Sequence, residues 1–339
     1  MANHVVVMAG GVGSRFWPIS TPEHPKQFID ILGIGRTLLQ LTYDRFLGIV
    51  EPQAVWVVTN AKYVDVVAQQ LPDIPAENIL AEPAARNTAP CIAWACWRIR
   101  QKDPKANVVV TPSDAIVMNT VEFQHVINNC LAFTKKSDAI VMIGIKPNRP
   151  ETGYGYIQVD EKINRNIYKV VTFKEKPDRE TAEKYFSDQN YYWNAGIFVW
   201  NVETIVAAIR KYKPNIASDM DRIIATGDVA SIFPLCEKIS IDYAVMEHAA
   251  ADGKVYSHPA LIGWSDLGNW QSLHEMLQKD ENNNGSVGAV HMYECSNCVV
   301  HTANAKKVVL QGLDGYIVSE KRGNILVCKR IEEQRIKEW

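Results

Sequence analysis

Residues 5–18 read Val-Val-Val-Met-Ala-Gly-Gly-Val-Gly-Ser-Arg-Phe-Trp-Pro, and residues 24–28 read His-Pro-Lys-Gln-Phe. The apolar, β-branched start suits a buried parallel strand. It passes directly into a glycine-rich turn. Gly10, Gly11 and Gly13 carry no Cβ, so backbone N–H groups there can come close to a ligand. At the carboxyl end of a strand, such a turn can cradle phosphate oxygens. Ser14 extends the run of N–H groups, and Arg15 and Lys26 bring two cations to the same stretch.

Two other glycine motifs do not fit. The P-loop needs Lys-Ser/Thr after its last glycine, and Ser14-Arg15 follows Gly13. The dinucleotide fingerprint, counted from Gly11 and Gly13, needs a third glycine where Phe16 stands. On glycines alone, a tight strand-to-helix connection without a ligand stays open. The wider pattern Gly10-Gly11-x-Gly13-Ser14-Arg15-x-Trp17-Pro18, then Pro25-Lys26-Gln27, resembles the signature of the sugar-phosphate nucleotidyltransferases. Within that family it is most similar to the mannose-1-phosphate guanylyltransferases.

The rest of the chain tests the resemblance. Strand-like runs at residues 54–59, 78–81, 107–112 and 138–145 alternate with helical patterns at 61–71, 87–100 and 121–135. That alternation argues for an α/β fold, a mostly parallel sheet with right-handed crossovers and helices on both faces. Ligands in such sheets bind beyond the carboxyl ends of the strands. Residues 10–15, Glu82 and Asp114 all fall at such ends, so one crevice could hold them. From residue 150 the pattern shifts to strand-like pieces around 153–159, 168–173 and 194–200. This reads as an antiparallel, sugar-binding insertion forming a second wall. Residues 263–268 are expected to open a helix running to Leu277.

Lys279-Asp280-Glu281-Asn282-Asn283-Asn284-Gly285 is polar and turn-rich, a domain boundary. The expected division is a nucleotidyltransferase domain over 1–280, with a nucleotide half 1–150 and a sugar half 151–280, then a small β domain over 285–339. The resemblance implies that this last piece is a short left-handed β-helix that helps form a homodimer. The short strands themselves show no clear hexapeptide repeat. Longer relatives carry a phosphomannose isomerase domain beyond this point, and that second activity is expected to be absent.

Net charge is -2 over 339 residues, so no global basic field invites nucleic acid. No apolar run reaches membrane-spanning length, and no signal peptide is expected at the start of the chain. Seven scattered cysteines argue against a disulfide framework and for a reducing cytoplasm. His291, Cys295, Cys298 and His301 have a spacing that could supply four metal ligands. Strand alternation there would turn neighbouring ligands to opposite faces.

Glu82-Pro83-Ala84-Ala85-Arg86-Asn87-Thr88-Ala89-Pro90 resembles the family's guanylyltransferase motif. One carboxylate can accept from both the N1–H and the 2-amino group of guanine. Uracil offers no such pair, so Glu82 should favour GTP, with Asn87 at the following helix start adding contacts. On spacing alone, Glu82 could instead pair with Arg86. Asp114, after Thr111-Pro112-Ser113, and Asp266, in Gly263-Trp264-Ser265-Asp266-Leu267-Gly268, resemble the family's metal-binding segments. Magnesium (Mg2+) is held by one or two carboxylates plus substrate phosphates. The alternatives are a turn cap for Asp114 and a helix N-cap for Asp266. Ser113 is expected beside the nucleotide.

The sugar side rests on Gly155, on Glu175-Lys176-Pro177 and on Asn194. Glu175 offers a carboxylate to hydroxyls, Lys176 an ammonium to the sugar's phosphate, and Asn194 an amide that donates and accepts. Ser240-Ile241-Asp242-Tyr243-Ala244-Val245-Met246-Glu247 also resembles a family segment, with a supporting role. The resemblance implies transfer of GMP from GTP to mannose 1-phosphate, giving GDP-mannose and pyrophosphate. Arg15, Lys26 and Lys176 are the catalytic cations in that reading. The rivals are another hexose 1-phosphate as acceptor and a catalytically silent relative that binds nucleotide sugars.

Overall fold

A computed structural model describes residues 2–11, 14–164, 166–302 and 307–338; Gly13 lies outside them. The elements run β1 (Asn3–Ala9), α1 (Leu38–Asp44), β2 (Val55–Asn60), α2 (Val64–Gln70), β3 (Ile79–Glu82), α3 (Thr88–Lys102), β4 (Asn107–Pro112), β5 (Ile116–Val117), α4 (Thr120–Thr134) and β6 (Ile140–Ile145). Then come β7 (Tyr156–Lys162), β8 (Tyr168–Lys174), α5 (Arg179–Ser187), β9 (Tyr191–Asn201), α6 (Val202–Tyr212), α7 (Pro214–Thr226), α8 (Val229–Ile232), α9 (Glu247–Ala251), β10 (Val255–Ala260), β11 (Trp264–Ser265) and α10 (Trp270–Met276). Short strands follow: β12 (Gly285–Val287), β13 (Val290–Tyr293), β14 (Val299–His301), β15 (Val308–Gln311), β16 (Tyr316–Lys321) and β17 (Asn324–Lys329).

The chain forms two compact units. The first comprises Met1–Gly10, Tyr43–Pro112 and Val117–Trp264. Its sheet has the order β3-β2-β1-β4-β9-β6-β10-β8-β7. β1 is parallel to β2 and β4, β2 to β3, and β6 to β10. The class is α/β as expected, but the sheet is mixed. β9 runs antiparallel between β4 and β6, so the residues expected to build a separate wall enter the main sheet. The reason is legible in Ile197-Phe198-Val199-Trp200, each buried. A strand apolar on both faces needs cover on both faces, and a central position supplies it.

Helix α3 illustrates the local logic. Asn87 caps it by accepting from Thr88 N at 2.8 Å, Pro90 sits in its first turn, and Arg100 and Lys102 face the negative end of its dipole.

The second unit comprises Gly11–Thr42, Ser113–Ile116 and Ser265–Trp339. Its core gathers Phe16, Ile29, Ile31, Trp270, Leu273, Val299 and Ile317. Within it β14 is parallel to β12 and β16, β13 is parallel to β15, and β17 closes antiparallel on β16. The 263–268 segment does not open the helix. α10 begins at Trp270 and is capped by Asn269, which accepts from Ser272 N at 2.8 Å. Asp266 is therefore no N-cap.

Among the described residues, no group of three or more His, Cys, Asp or Glu could hold a metal. Cys295 and Cys298 are buried in a small apolar cluster, and their thiols donate to the Tyr293 and Ser296 carbonyls. His301 is buried on β14 while His291 is exposed on β13. All seven cysteines are free and buried. Among the described residues no helix is long and apolar enough to cross a membrane.

Candidate functional site

In the second unit, Lys26 is the hub. It is 7% exposed. Its Nζ lies 3.1 Å from Asp114 Oδ2 and donates to the Asp266 carbonyl at 3.0 Å and the Leu267 carbonyl at 2.9 Å. An ammonium has three N–H donors, and each has an acceptor here. The neighbouring Gln27 donates to the Gly11 carbonyl at 2.7 Å, which ties the glycine loop to the same segment. Ser113 is buried, and its carbonyl accepts from Thr42 at 3.4 Å. Arg15 is exposed, just beyond the loop.

The Asp266 turn is unusual backbone. Leu267 is fully buried with φ at 44°, a conformation that bulky residues adopt rarely. Strained residues of this kind cluster at functional sites. Gly268 N donates to Asp266 Oδ1 at 3.2 Å. A Cβ on Gly268 would lie 2.6 Å from Asp266 Oδ2, so any side chain there would displace the carboxylate. Sequence positions 26, 114 and 266 thus meet in one cluster. The Asp114 carboxylate and the backbone of the Asp266 turn meet at the Lys26 ammonium, and the two aspartates are of the type that, with substrate phosphates, could hold a divalent ion.

In the first unit, Glu82 ends β3 and is 7% exposed. A Cβ at Gly10 would lie 3.6 Å from Glu82 Oε2, so the carboxyl stands at the start of the glycine loop. Burial pushes Glu82 up to about 7, only partly offset by a hydrogen bond with the Cys91 thiol. Its Oε1 is buried without a hydrogen-bond partner among the described residues. The Arg86 pairing does not form. The Arg86 guanidinium donates instead to the Pro234 carbonyl. Asn87 spends its side chain on the α3 cap, with φ at 66°.

The sugar-side residues of the first unit also meet. The Asn194 N–H donates to the Gly155 carbonyl at 2.8 Å, and Asn194 Oδ1 accepts from Gly196 N at 2.9 Å. A Cβ on Gly155 would collide with Glu175 Oε2 and the Phe173 ring, so only glycine lets the carboxyl lie there. Lys176 Nζ sits 3.3 Å from Glu175 Oε1 and keeps 58% side-chain exposure. Burial raises Glu175, Lys176 opposes that shift, and the Glu247 charge adds to it.

The 240–247 segment that contains Asp242 carries only a supporting role in the sequence pattern. Asp242 accepts from Asn194 Nδ2 at 3.0 Å and opens a π-helical turn, Asp242–Met246. The signal available beforehand was an Asp inside a family-like segment. Nothing in the spacing connected it to Asn194, 48 positions away.

A profile of the family described as nucleotidyl transferase matches residues 4–283. The chain is 35% identical over 351 residues to mannose-1-phosphate guanylyltransferase 2 of Escherichia coli O157:H7, covering 98% of this chain and 71% of that protein. It is 34% identical over 345 residues to the mannose-1-phosphate guanylyltransferase of Klebsiella pneumoniae, covering 98% of this chain and 72% of that one. Among solved structures, a Thermus thermophilus protein described as mannose-1-phosphate geranyltransferase superposes with a TM-score of 0.90 at 28% identity, over 100% of this chain and 98% of that one.

Proposed function

The chain belongs to the nucleotidyl transferase family, and from that premise we propose that it is an enzyme joining GTP and mannose 1-phosphate into GDP-mannose and pyrophosphate. The observation that carries the reading is the buried Lys26 ammonium, which gathers Asp114 and the Asp266 turn around one positive charge. A reaction between two polyanions needs fixed charge and position more than it needs an acid or base. The relatives' names supply the choice of GTP and mannose 1-phosphate.

An oxygen of the sugar phosphate attacks the α-phosphorus of GTP in line. The new O–P bond forms as the bond to the β-phosphate bridge breaks, and pyrophosphate leaves with that electron pair. The sugar phosphate is ionised at neutral pH, so no base need remove a proton. N–H groups of residues 10–14 and the Arg15 guanidinium hold the β and γ phosphates. Lys26 turns the donor it keeps on Asp114 toward the α-phosphate. Ser113 lies beside the nucleotide, and Lys176 guides the incoming phosphate. Asp114 and Asp266 would hold Mg2+, which when bound would supply charge neutralisation at the phosphates. Glu82 takes the two guanine donors as a bidentate pair across its carboxylate, whose Oε1 has no hydrogen-bond partner among the described residues, and Asn87 lines the base. Gly155, Glu175 and Asn194 receive the hexose.

The parallel rungs β12, β14, β16 and β13, β15 support reading the last segment as a short left-handed β-helix. β17 is an edge strand with Ile325 and Val327 exposed, which supports a homodimer. The buried free cysteines support a reducing cytoplasm. The test is a pyrophosphate-release screen across nucleoside triphosphates and hexose 1-phosphates. GTP with mannose 1-phosphate should give the highest kcat/KM. Faster turnover of another pair, or no release from any, overturns the reading.

A further inference from the structure

The first unit holds a carboxyl group that the proposed chemistry leaves unused. Asp242 accepts from Asn194 Nδ2, while Asn194 Oδ1 accepts from Gly196 N and Asn194 N donates to Gly155 O. The amide is therefore locked at both ends, and its direction is set by Asp242. Gly155 in turn lies directly under Glu175 Oε2. Glu175, Gly155, Asn194 and Asp242 thus form one continuous chain of contacts. Asp242 stands at the first position of a π-helical turn, and such turns occur frequently at functional sites.

We propose that Asp242 is a further specificity-determining residue, pairing with Glu175 so that two carboxylates accept from neighbouring hydroxyls of the hexose while Asn194 is held between them. This rests on the sugar-side reading above and deepens it. A carboxylate accepts hydrogen bonds and cannot donate them. Two of them close together repel, and the pair sheds that repulsion when donors arrive or when one takes a proton. Hydroxyls of a sugar are such donors. An epimer with one hydroxyl inverted would leave one carboxylate facing no donor, which is costly in a buried site.

The charged groups facing Asp242 are Glu175 and Lys176, with Glu247 acting on Glu175. Burial first and the Glu175 charge second raise Asp242 to about 7, against the opposing pull of Lys176 and of a hydrogen bond from Ser240. Below that pH the carboxyl holds a proton and accepts poorly, so KM for the sugar phosphate should climb as pH falls through about 7.

Asp242→Asn tests the idea. An asparagine keeps the size of the side chain and an oxygen for Asn194, while it loses the charge and exchanges the other acceptor oxygen for an NH2 donor. KM for mannose 1-phosphate should rise about 10-fold or more, as loss of a hydrogen bond to a charged group does, with KM for GTP unchanged. The rise in sugar KM below pH 7 should flatten, and preference among epimeric hexose 1-phosphates should narrow. Unchanged sugar KM, epimer preference and pH profile would overturn the proposal. So would parallel loss of GTP and sugar affinity with a lowered Tm, which marks a purely structural role.

Calorimetry with mannose 1-phosphate alone, on wild type and Asp242→Asn, separates this idea from the enzyme reading. Weaker binding in the variant supports Asp242 even if no nucleotide turns over. Equal binding overturns it even if turnover is confirmed.

Discussion

The two units hold their charged groups in opposite ways. In the second unit, Lys26 has an acceptor for every ammonium donor, and Gly268 N fixes Asp266. In the first, Glu82 keeps a buried oxygen without a partner among the described residues, and Glu175 and Asp242 crowd like charges together. A group that must stabilise charge during a reaction works best when it is fixed beforehand. A group that must recognise a particular base or sugar works best when its acceptors wait for the right donors, because a wrong partner then leaves them unpaired. The cost of that waiting is stability, visible in carboxyls raised toward neutral pH.

The contrast can be broken at several points. The largest effect should come from chelating divalent metal, which should bring pyrophosphate release to background, with recovery on added Mg2+. Full turnover in chelator would remove Asp114 and Asp266 as ligands. Next, Lys26→Ala or Asp114→Asn should lower kcat by about 100-fold or more, the loss expected for one preorganised charged group. Near-normal steady-state rates in either variant would contradict the assignment.

On the recognition side, Glu82→Gln should reduce the GTP-over-UTP ratio of kcat/KM by about 10-fold or more. A ratio equal to that of the wild type would refute the guanine role. The smallest effect sharpens the stability side of the comparison. Glu82 has a folded-state value of about 7 against 4.5 for the ordinary carboxyl. A raised acid contributes its stability fully below the unfolded value and loses it as pH rises through the folded value. Glu82→Gln should therefore be more stable than wild type at pH 8 by on the order of 2 kcal/mol, with the gap shrinking toward pH 5. Thermal melts at the two pH values measure this, and a gap independent of pH would show that Glu82 pays no burial cost.

Much of this was legible in the residues. The strand at residues 5–9 running into Gly10 and Gly11, the Asn87 start of α3 and the alternation of strands and helices follow from local rules. Boundaries were less legible. The 263–268 segment looked like a helix start because Asp266 precedes Leu267, yet Asn269 makes the cap. A capping residue is chosen by where the backbone turns, and the positive φ of Leu267 postpones that turn. The apolar run of β9, residues 197–200, calls for cover on both faces, but it does not say between which strands β9 lies or that it runs antiparallel to them.

The sequence by itself determined which residue types were present and at which strand ends: a bare loop, two lysines, the aspartates and the Glu82 motif. Tertiary structure alone decided the pairings. Lys26 meets the Asp266 carbonyl across 240 positions, and Asp242 meets Asn194 through a π-turn. Local periodicity tells which face of an element is apolar. It carries no record of which distant element will lie opposite, because that depends on strand order, and strand order is settled by the packing of the whole sheet.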